Sequence, residues 1–465
     1  MTETAYEKPQ DLQGYMQAQG VNAYQTPKTL PVAADAFRAK DIKVGPEVPL
    51  KRQGHQIGRG SKEGTVRGMQ KVPWSITSSL IPSGSAGTGP DDELIYLCGN
   101  FSATADAATL TTTVSGNWSA YNTGDLTSVT GLTEGVSVVK FADANGMLHA
   151  RLVTDISTLT VTIEPPLTFL PAITSAVVQC KAYQFTETCE ELSFTMWKYL
   201  THTVRGASGC VANNYSWTWG TGEDGVQQDV SGFARSYFQA GPTTILEGAP
   251  WAQAATSLTV TNHKRITLGT VLVVESENIL VTAKSAAGVL TVTRGYNSTS
   301  DVQHADGTAI TVYQPSSVTL AGNDAPPDAF TVDIGSGNNV AVRLESESGS
   351  LTMAKGVSPR ERGHGDEWVT QGYGLSSDRE INLSVAGWMQ NTDADYYQDA
   401  LDTTTWGVCL QNDDVAGRVW GAIIPRCQFD PAKENTAGDD HVGLELTGKA
   451  VGSRTGARAM VIFVG

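Results

Sequence analysis

VSVVKFADANGMLHARLVTDISTLTVTIEPPLTFLPAITSAVVQCKAY (136–183) and VLVVESENILVTAKSAAGVLTVTRGYNSTSDVQHADGTAITVY (271–313) carry one pattern twice. Each reads as strand, turn, strand, turn, an LTVT strand, a polar loop, and a last strand ending in Tyr. Leu159-Thr160-Val161-Thr162 aligns with Leu290-Thr291-Val292-Thr293 at an offset of 131, and Tyr183 aligns with Tyr313 at 130. AATLTTTVSG (107–116) opens the first copy and AATSLTVTN (254–262) the second. Short alternating runs punctuated by turn residues are expected to form a small sandwich or open barrel. Two such modules are assigned, at 107–183 and 254–313.

Outside the modules the same period of two dominates. ELSFTMWKYL (191–200), NNYSWTWG (213–220), FTVDIGSGNNVAVRL (330–344), HVGLELTGKAV (441–451) and ARAMVIFV (457–464) alternate apolar with polar residues. Two places break the pattern with a short helix. VRGMQKVPWSITSSLIPSG (66–84) is followed by GPDDELIYLCG (89–99), where Asp91 is placed to cap a two-turn helix. DREINLSVAGWMQ (378–390) is followed by a stretch with Thr392 and Asp395 at capping-box spacing. Strand, loop, short helix thus occurs twice, which predicts a duplicated unit: 66–106 with 184–253, and 314–465. Pro9, Pro27, Pro31, Pro46 and Pro49 lie in a start with little periodicity, so 1–65 is expected to be an extended arm.

Of the 465 residues only 17% are charged, and the net charge is −16. Residues 1–75 hold 11 Lys and Arg against 7 Asp and Glu, whereas the other 390 hold 21 against 41. Clamping of nucleic-acid phosphates by the surface as a whole is disfavoured. Lys51, Arg52, Arg59, Lys62, Arg67 and Lys71 crowd one stretch beside a single acid, Glu63. They read either as a solvated loop or as a basic arm that meets the acidic body of another copy. No apolar run is long enough to span a membrane, and the start has no signal-like core, so no membrane insertion is expected.

No enzymatic chemistry stands out. The six Cys lack CxxC spacing and read as buried thiols. His304 near Asp306, and His364 beside Asp366 and Glu367, are the residues an acid/base or metal site would need, yet no second cluster complements either. No GxSxG, HExxH, P-loop or GxGxxG before a helix occurs. Neither catalytic residues, nor a cofactor, nor a metal ligand is assigned. Tyr215, Trp217 and Trp219 fall on one face of a strand, as sugar-stacking rings or as core.

The order of FTVDIGSGNNVAVRL, VSPRERGHGDEW (357–368), REINLSVAGWMQNTDADYYQDAL (379–401), VWGAIIPRCQFD (419–430) and ENTAGDD (434–440) resembles the tail tube, or major tail, proteins of long-tailed bacteriophages. LSFTMWKYL (192–200), GCVANNYSWTWG (209–220) and VSGFARSYF (230–238) are similar to the middle of the larger members. RGYNSTSDVQHADGTAI (294–310) resembles a recurring loop of phage structural proteins. The resemblance implies a mainly β fold: a duplicated tail-tube-type β-sandwich or barrel with short flanking helices, carrying the two inserted modules and the arm. It further implies a virion protein, assembled in the host cytoplasm, that stacks as rings around a lumen through which genomic DNA passes without specific binding. Its partners would be itself, the tape measure, the tail terminator and the baseplate. At roughly 150 residues per unit, two units per chain predict three chains per ring, with a hexamer of single units as the alternative. A capsid-decorating or baseplate-associated protein, and a carbohydrate-binding β-protein, are the other classes considered.

Overall fold

The computed structural model describes residues 13–21, 30–47, 71–82, 93–104, 111–185, 191–220, 225–316, 331–360, 372–388, 404–435, 443–452 and 460–464, apart from single positions within these spans. It also describes 50–52, 56–57, 61–62, 65–67 and position 402. The chain is mainly β, as its alternation predicts. Its N-terminal elements are β1 (Gln13–Val21), β2 (Ala36–Phe37), β3 (Asp41–Val44), β4 (Leu50–Arg52), β5 (Gln56–Ile57), β6 (Ser61–Lys62), β7 (Thr65–Arg67), β8 (Val72–Ser79), helix α1 (Glu93–Leu97) and β9 (Phe101–Ala103). Helix α1 buries Ile95 and Tyr96 and leads into a turn in which Gly99 N–H donates to the Tyr96 carbonyl. A Cβ at Gly99 would lie 1.5 Å from the Tyr215 hydroxyl, so only glycine fits there. Asp91 and the segment holding Thr392 and Asp395 lie outside the described residues.

The extended arm expected over 1–65 needs correcting at its described residues. β1 pairs along its length with the strand at 192–199, and β3 pairs with β8. Tyr15, Met16 and Ile42 are buried. Gln and Gly hide β1 from a hydrophobicity reading, because its binding comes chiefly from backbone ladders.

The first module comprises β10 (Thr111–Thr113), β11 (Thr123–Asp125), β12 (Val138–Ala142), β13 (Leu148–Ser157), β14 (Thr160–Glu164) and β15 (Ala176–Gln179), ordered β10-β15-β12-β13-β14-β11. The chain continues through β16 (Lys181–Phe185), β17 (Leu192–Tyr199), β18 (Val204–Trp219), β19 (Gln227–Ala234) and β20 (Ser236–Ala240). The second module follows: β21 (Thr243–Thr244), β22 (Ser257–Thr259), β23 (Val271–Val274), β24 (Glu277–Lys284), β25 (Val289–Thr293) and β26 (Ala309–Val312), ordered β21-β26-β23-β24-β25-β22. The two orders are the same. Each sheet closes on itself through one bridge, Val114 to Leu126 and Ile245 to Val260. All four residues are buried.

Hydrogen bonds fix the equivalence, and they shift it from the sequence alignment. Thr154 Oγ1 donates to the Thr162 carbonyl at a bulge in β13, and Thr282 Oγ1 donates to the Thr291 carbonyl at a bulge in β24. Thr162 therefore matches Thr291, at 129 rather than 131. Cys180 N–H donates to Val138 as Tyr313 N–H donates to Val271, so Tyr313 matches Cys180 and not Tyr183. β10 matches β21, through Thr112 and Thr127 in one copy and Thr243 and Thr261 in the other. AATSLTVTN instead forms β22, and the second sheet begins at Thr243. At the LTVT strand the slip of two residues keeps every side chain on its own face, so period-two matching cannot detect it. At the last strand the slip is three residues, from Tyr183 to Cys180, because the shared Tyr matches by identity rather than by ladder.

The C-terminal strands are β27 (Thr331–Gly335), β28 (Val342–Ala354), β29 (Val357–Arg360), β30 (Gly372–Leu375), β31 (Glu380–Trp388), β32 (Thr405–Gln411), β33 (Trp420–Phe429), β34 (Lys433–Asn435), β35 (Gly443–Ala450) and β36 (Val461–Val464). Their antiparallel pairings make a cycle, β27–β32–β33–β35–β31–β28–β27. The first half of the body makes another, β1–β17–β18–β19–β8–β3, closed by β2 against β1. Chain order round both cycles agrees, and so does a bulge, between Phe194 and Met196 in β17 and between Trp406 and Val408 in β32. The ladders equate Phe37 with Leu344 and Ile42 with Gly349, both at 307 (344 − 37 and 349 − 42). They also align Asp229-Val230-Ser231-Gly232 with Glu445-Leu446-Thr447-Gly448, a likeness the sequence reading missed.

One apolar core runs through both cycles, from Met16 and Trp74 to Trp420 and Ile462. β18 joins them directly, pairing Asn214 with Ala354 through to Trp219 with Gly349. Gly232 and Gly448 sit at equivalent close approaches. A Cβ at the first would lie 2.0 Å from the Val211 carbonyl oxygen, and at the second 2.6 Å from Cys427 Sγ. Gly232→Ala is expected to cost about 3 kcal/mol and Gly448→Ala less, because backbone cannot yield as a thiol can. Urea midpoints at unchanged m-value check this; equal, negligible shifts would contradict the packing.

Candidate assembly interface

The basic stretch 51–71 folds on itself. Glu47 and Lys71 exchange backbone hydrogen bonds of 2.6 and 2.8 Å at its foot. Leu50 then pairs with Arg67, Lys51 with Val66, Arg52 with Thr65, Gln56 with Lys62 and Ile57 with Ser61. Lys51, Arg52, Lys62 and Arg67 are thereby brought onto two paired runs of one hairpin, with exposed Lys71 at its base. Arg59 lies outside the described residues.

At the hairpin's foot opens a cleft of about 710 Å³, lined in part by Lys43, Val44, Trp74, Lys198, Arg205 and Phe233. Lys198 Nζ donates to the Ile42 carbonyl at 2.5 Å and stands 3.6 Å from an Asp41 carboxylate oxygen. A second hairpin, β29 with β30, interrupts the C-terminal cycle at the same place, between β28 and β31. Val357 and Tyr373 at its base pack on Val211 and Phe233 of the first half, and the Tyr373 hydroxyl donates to the Gly209 carbonyl at 2.7 Å. The remainder of VSPRERGHGDEW, with His364, Asp366 and Glu367, lies outside the described residues.

Of the two His–acid candidates only His304 with Asp306 lies within the described residues, and the surroundings of His304 are closed. Its ring nitrogens lie 2.9 Å from Glu275 and 2.8 Å from Glu277. Glu277 is fully buried and takes two hydrogen bonds from Arg294, of 2.6 and 2.7 Å, and another from Gly295 N–H. The Arg294 guanidinium stacks 3.6 Å from the Trp251 ring centroid. Burial alone would raise the Glu277 carboxyl, but the hydrogen bonds from Arg294, His304, Gly295 and Val302 outweigh it and bring it down to about 2. Every lone pair is engaged in tying the 294–304 loop to β24. Asp306 likewise accepts the Glu247 N–H at 2.9 Å.

Two more buried carboxylates, Asp333 and Glu191, lock parts of the chain together through ion pairs. Arg151 of the first module reaches Asp333 of β27 at 2.7 Å, and Arg343 reaches the same carboxylate at 2.9 Å. Lys355 pairs with Glu191 at 2.6 Å, both nearly fully buried. No local pattern signals the Arg151–Asp333 and Lys355–Glu191 pairs, since their partners lie 182 and 164 residues apart. Tyr215, Trp217 and Trp219 are core residues, buried at 1%, 0% and 5% exposure, so they present no face for a sugar. Five of the Cys are buried and free; burial pushes the thiols of Cys98, Cys409 and Cys427 up to about 12, which leaves them inert. Cys189 lies outside the described residues. Among the described residues no group of three His, Cys, Asp or Glu could hold a metal ion, and no helix is long and apolar enough to cross a membrane.

No protein-family model matches the chain, and no curated protein matches it.

Because folding depresses the Glu277 carboxyl from its ordinary 4.5 to about 2, its stabilisation is complete above the unfolded value and is lost as pH falls between the two. Wild-type protein should lose cooperative unfolding of the second module across that window. Arg294→Met, which strands a buried carboxylate, should cost about 3–5 kcal/mol at neutral pH and soften the acid transition. A variant as stable as wild type at pH 7 would contradict the lock.

Proposed function

We propose that the chain is a structural virion protein that assembles into stacked rings forming the tail tube of a long-tailed phage, the conduit for its genome. The observation that carries this reading is the pair of pairing cycles. Two six-stranded units of one chain order, each interrupted by a hairpin at the same position, are fused in one chain. A duplicated tube-type unit would have this form, and three chains would then supply six units. The two closed modules would decorate the outside, since a lumen that carries DNA has no room for them. The excess of 41 acids over 21 cations beyond residue 75 supports a wall that repels phosphate rather than binding it. The buried carboxylates of Glu277, Asp333 and Glu191 support a scaffold rather than an enzyme, because each is engaged in an ion pair that holds parts of the fold together.

The basic hairpin is read as the element that bridges to an acidic surface of the neighbouring ring. The tape measure, tail terminator and baseplate would be the other contacts, and DNA would pass without sequence-specific binding. The glycan reading loses its surface, because the Trp217 and Trp219 rings are core.

Negative-stain images of the purified protein should show rings or tubes whose outer features repeat by threefold, and mass photometry of rings should give three chains. Six equal protrusions, or six chains per ring, would select the hexamer instead. The triple variant R59E/K62E/R67E should remain folded by circular dichroism and form no tubes. Tubes of wild-type length from that variant would remove the hairpin from the bridging role.

A further inference from the structure

This inference rests on the ring-forming reading and names the edges by which one copy meets the next. Within the chain, the last residues of β18 reach beyond their own cycle: Ser216 pairs with Thr352, Trp217 with Leu351 and Thr218 with Ser350 of β28. The equivalence of the two cycles identifies the counterparts of both strands. Ser216 faces Asp229 in β19 as Lys433 faces Glu445 in β35, and Asp229 and Glu445 are equivalent through β8 and β31. β34 therefore holds, in the second cycle, the place that the end of β18 holds in the first. β3 holds the place of β28, at the offset of 307 established by both of its ladders.

Both counterparts keep an open side. Among the described strands β34 pairs with β35 and no other, and β3 pairs with β8 and no other. A strand bonded on one side leaves a row of backbone donors and acceptors facing outward, which is a template for another strand.

We propose that β34 of one copy adds antiparallel to β3 of the next, repeating between chains the junction that β18 and β28 make within one. The internal register carries over without adjustable choice. Lys433 faces Gly45 (352 − 307), Glu434 faces Val44 (351 − 307) and Asn435 faces Lys43 (350 − 307) of the second copy. The contact is head to tail, so identical copies continue it until the last meets the first.

Charge supports the pairing of these two edges in particular. Glu434 stands where the internal junction has Trp217. Trp217 shares its buried cluster with Leu410 and Ala422, whose counterparts in the first cycle are Lys198 and Arg205, since Lys198 pairs with Arg205 as Leu410 pairs with Ala422. Lys198, Arg205, Lys43 and Val44 all line the cleft beside β3. An indole in a core that holds Leu410 and Ala422 thus corresponds to a carboxylate, Glu434, and those two aliphatic positions correspond to two cations. Asp41 and Glu47 flank that cleft as the opposing acids, so the match is local rather than a uniformly basic patch.

The test is a disulfide across the proposed pair. Val44 is half-buried and Glu434 exposed, so V44C/E434C should fold as wild type. Directly opposite residues in an antiparallel pair have Cβ atoms about 4.5–5.5 Å apart, within small adjustment of disulfide reach. Under mild oxidation V44C/E434C should give a non-reducing gel ladder ending at a closed trimer, with each single variant remaining monomeric on the gel. The slipped pair V44C/K433C should cross-link several-fold less. Rings visible by microscopy without a V44C/E434C cross-link would overturn this junction and leave the ring reading standing. Neither rings nor cross-links at any concentration would overturn both.

Discussion

A strand edge exposes unsatisfied backbone groups at every second residue, and a chain built almost wholly of strands must dispose of many such edges. This protein does so by closure. Each module is a six-stranded sheet sealed by one bridge, where Val114 meets Leu126 and Ile245 meets Val260, reinforced by threonine hydroxyls across the closing strands. The body uses two cycles of six pairings and fuses them through β18 and β28. β36 then lies between β16 and β33 and pairs with both. Closure allows a polar, weakly charged sequence to be a stable all-β scaffold, because backbone ladders supply what a large apolar surface supplies elsewhere.

Once edges are closed, the parts must be held to one another, and the chain uses two different means. The second module shares an apolar cluster with the body, in which Tyr15, Trp197 and Phe238 meet Ile245, Leu272 and Ile310. The first module adds charge to an apolar contact: Ala150 and Leu152 pack with Cys409 and Phe463, while Arg151 between them reaches Asp333. An apolar face tolerates sliding, whereas a buried arginine bonded to one carboxylate and to the Pro166 carbonyl fixes a single register. Positional rigidity of this kind suits a part that must sit identically in every copy of an assembly.

How much was legible in the sequence follows from what each signal measures. Module repetition is visible because both copies carry the same alternation, yet the phase differs by two residues at the LTVT strand, since alternation reports the face and not the position along the strand, and by three at the last strand, where the shared Tyr misleads. The equivalence of Asp229-Val230-Ser231-Gly232 with Glu445-Leu446-Thr447-Gly448 was missed because only the glycine is identical. Its meaning is steric: both glycines let a neighbouring strand or side chain approach closely. β1 was read as arm because Gln and Gly conceal a strand whose ladder is long and whose apolar burial is confined to Tyr15 and Met16. The cations of 51–71 stand out in the sequence as a group, but the backbone pairing of that stretch depends on register, which composition does not encode. The buried ion pairs were invisible for a similar reason: a lone Asp333 or Glu191 looks like any surface acid until topology brings its partner.

Fusion of two like units changes what each may become. Identical units in a ring must present identical edges, so any insertion would appear at every position round it. In a fused pair the two are free to diverge: the first cycle carries a 77-residue insertion between β9 and β16, strands that pair directly with each other, so the inserted module begins and ends at one point of the body. Loop-closure cost rises only slowly with length, which lets a hairpin turn be replaced by a barrel without loss of the ladder beneath it. The second module lies on the connection between cycles, where the corresponding constraint is only that β20 and β27 be joined. Divergence extends to the junctions themselves. The internal one carries Trp217 in a buried core with Trp420, as a permanent contact can, whereas its counterpart position carries the exposed Glu434. An apolar surface there would invite indiscriminate association of newly made chains, and a charged one confines pairing to the partner edge that holds the opposite charges.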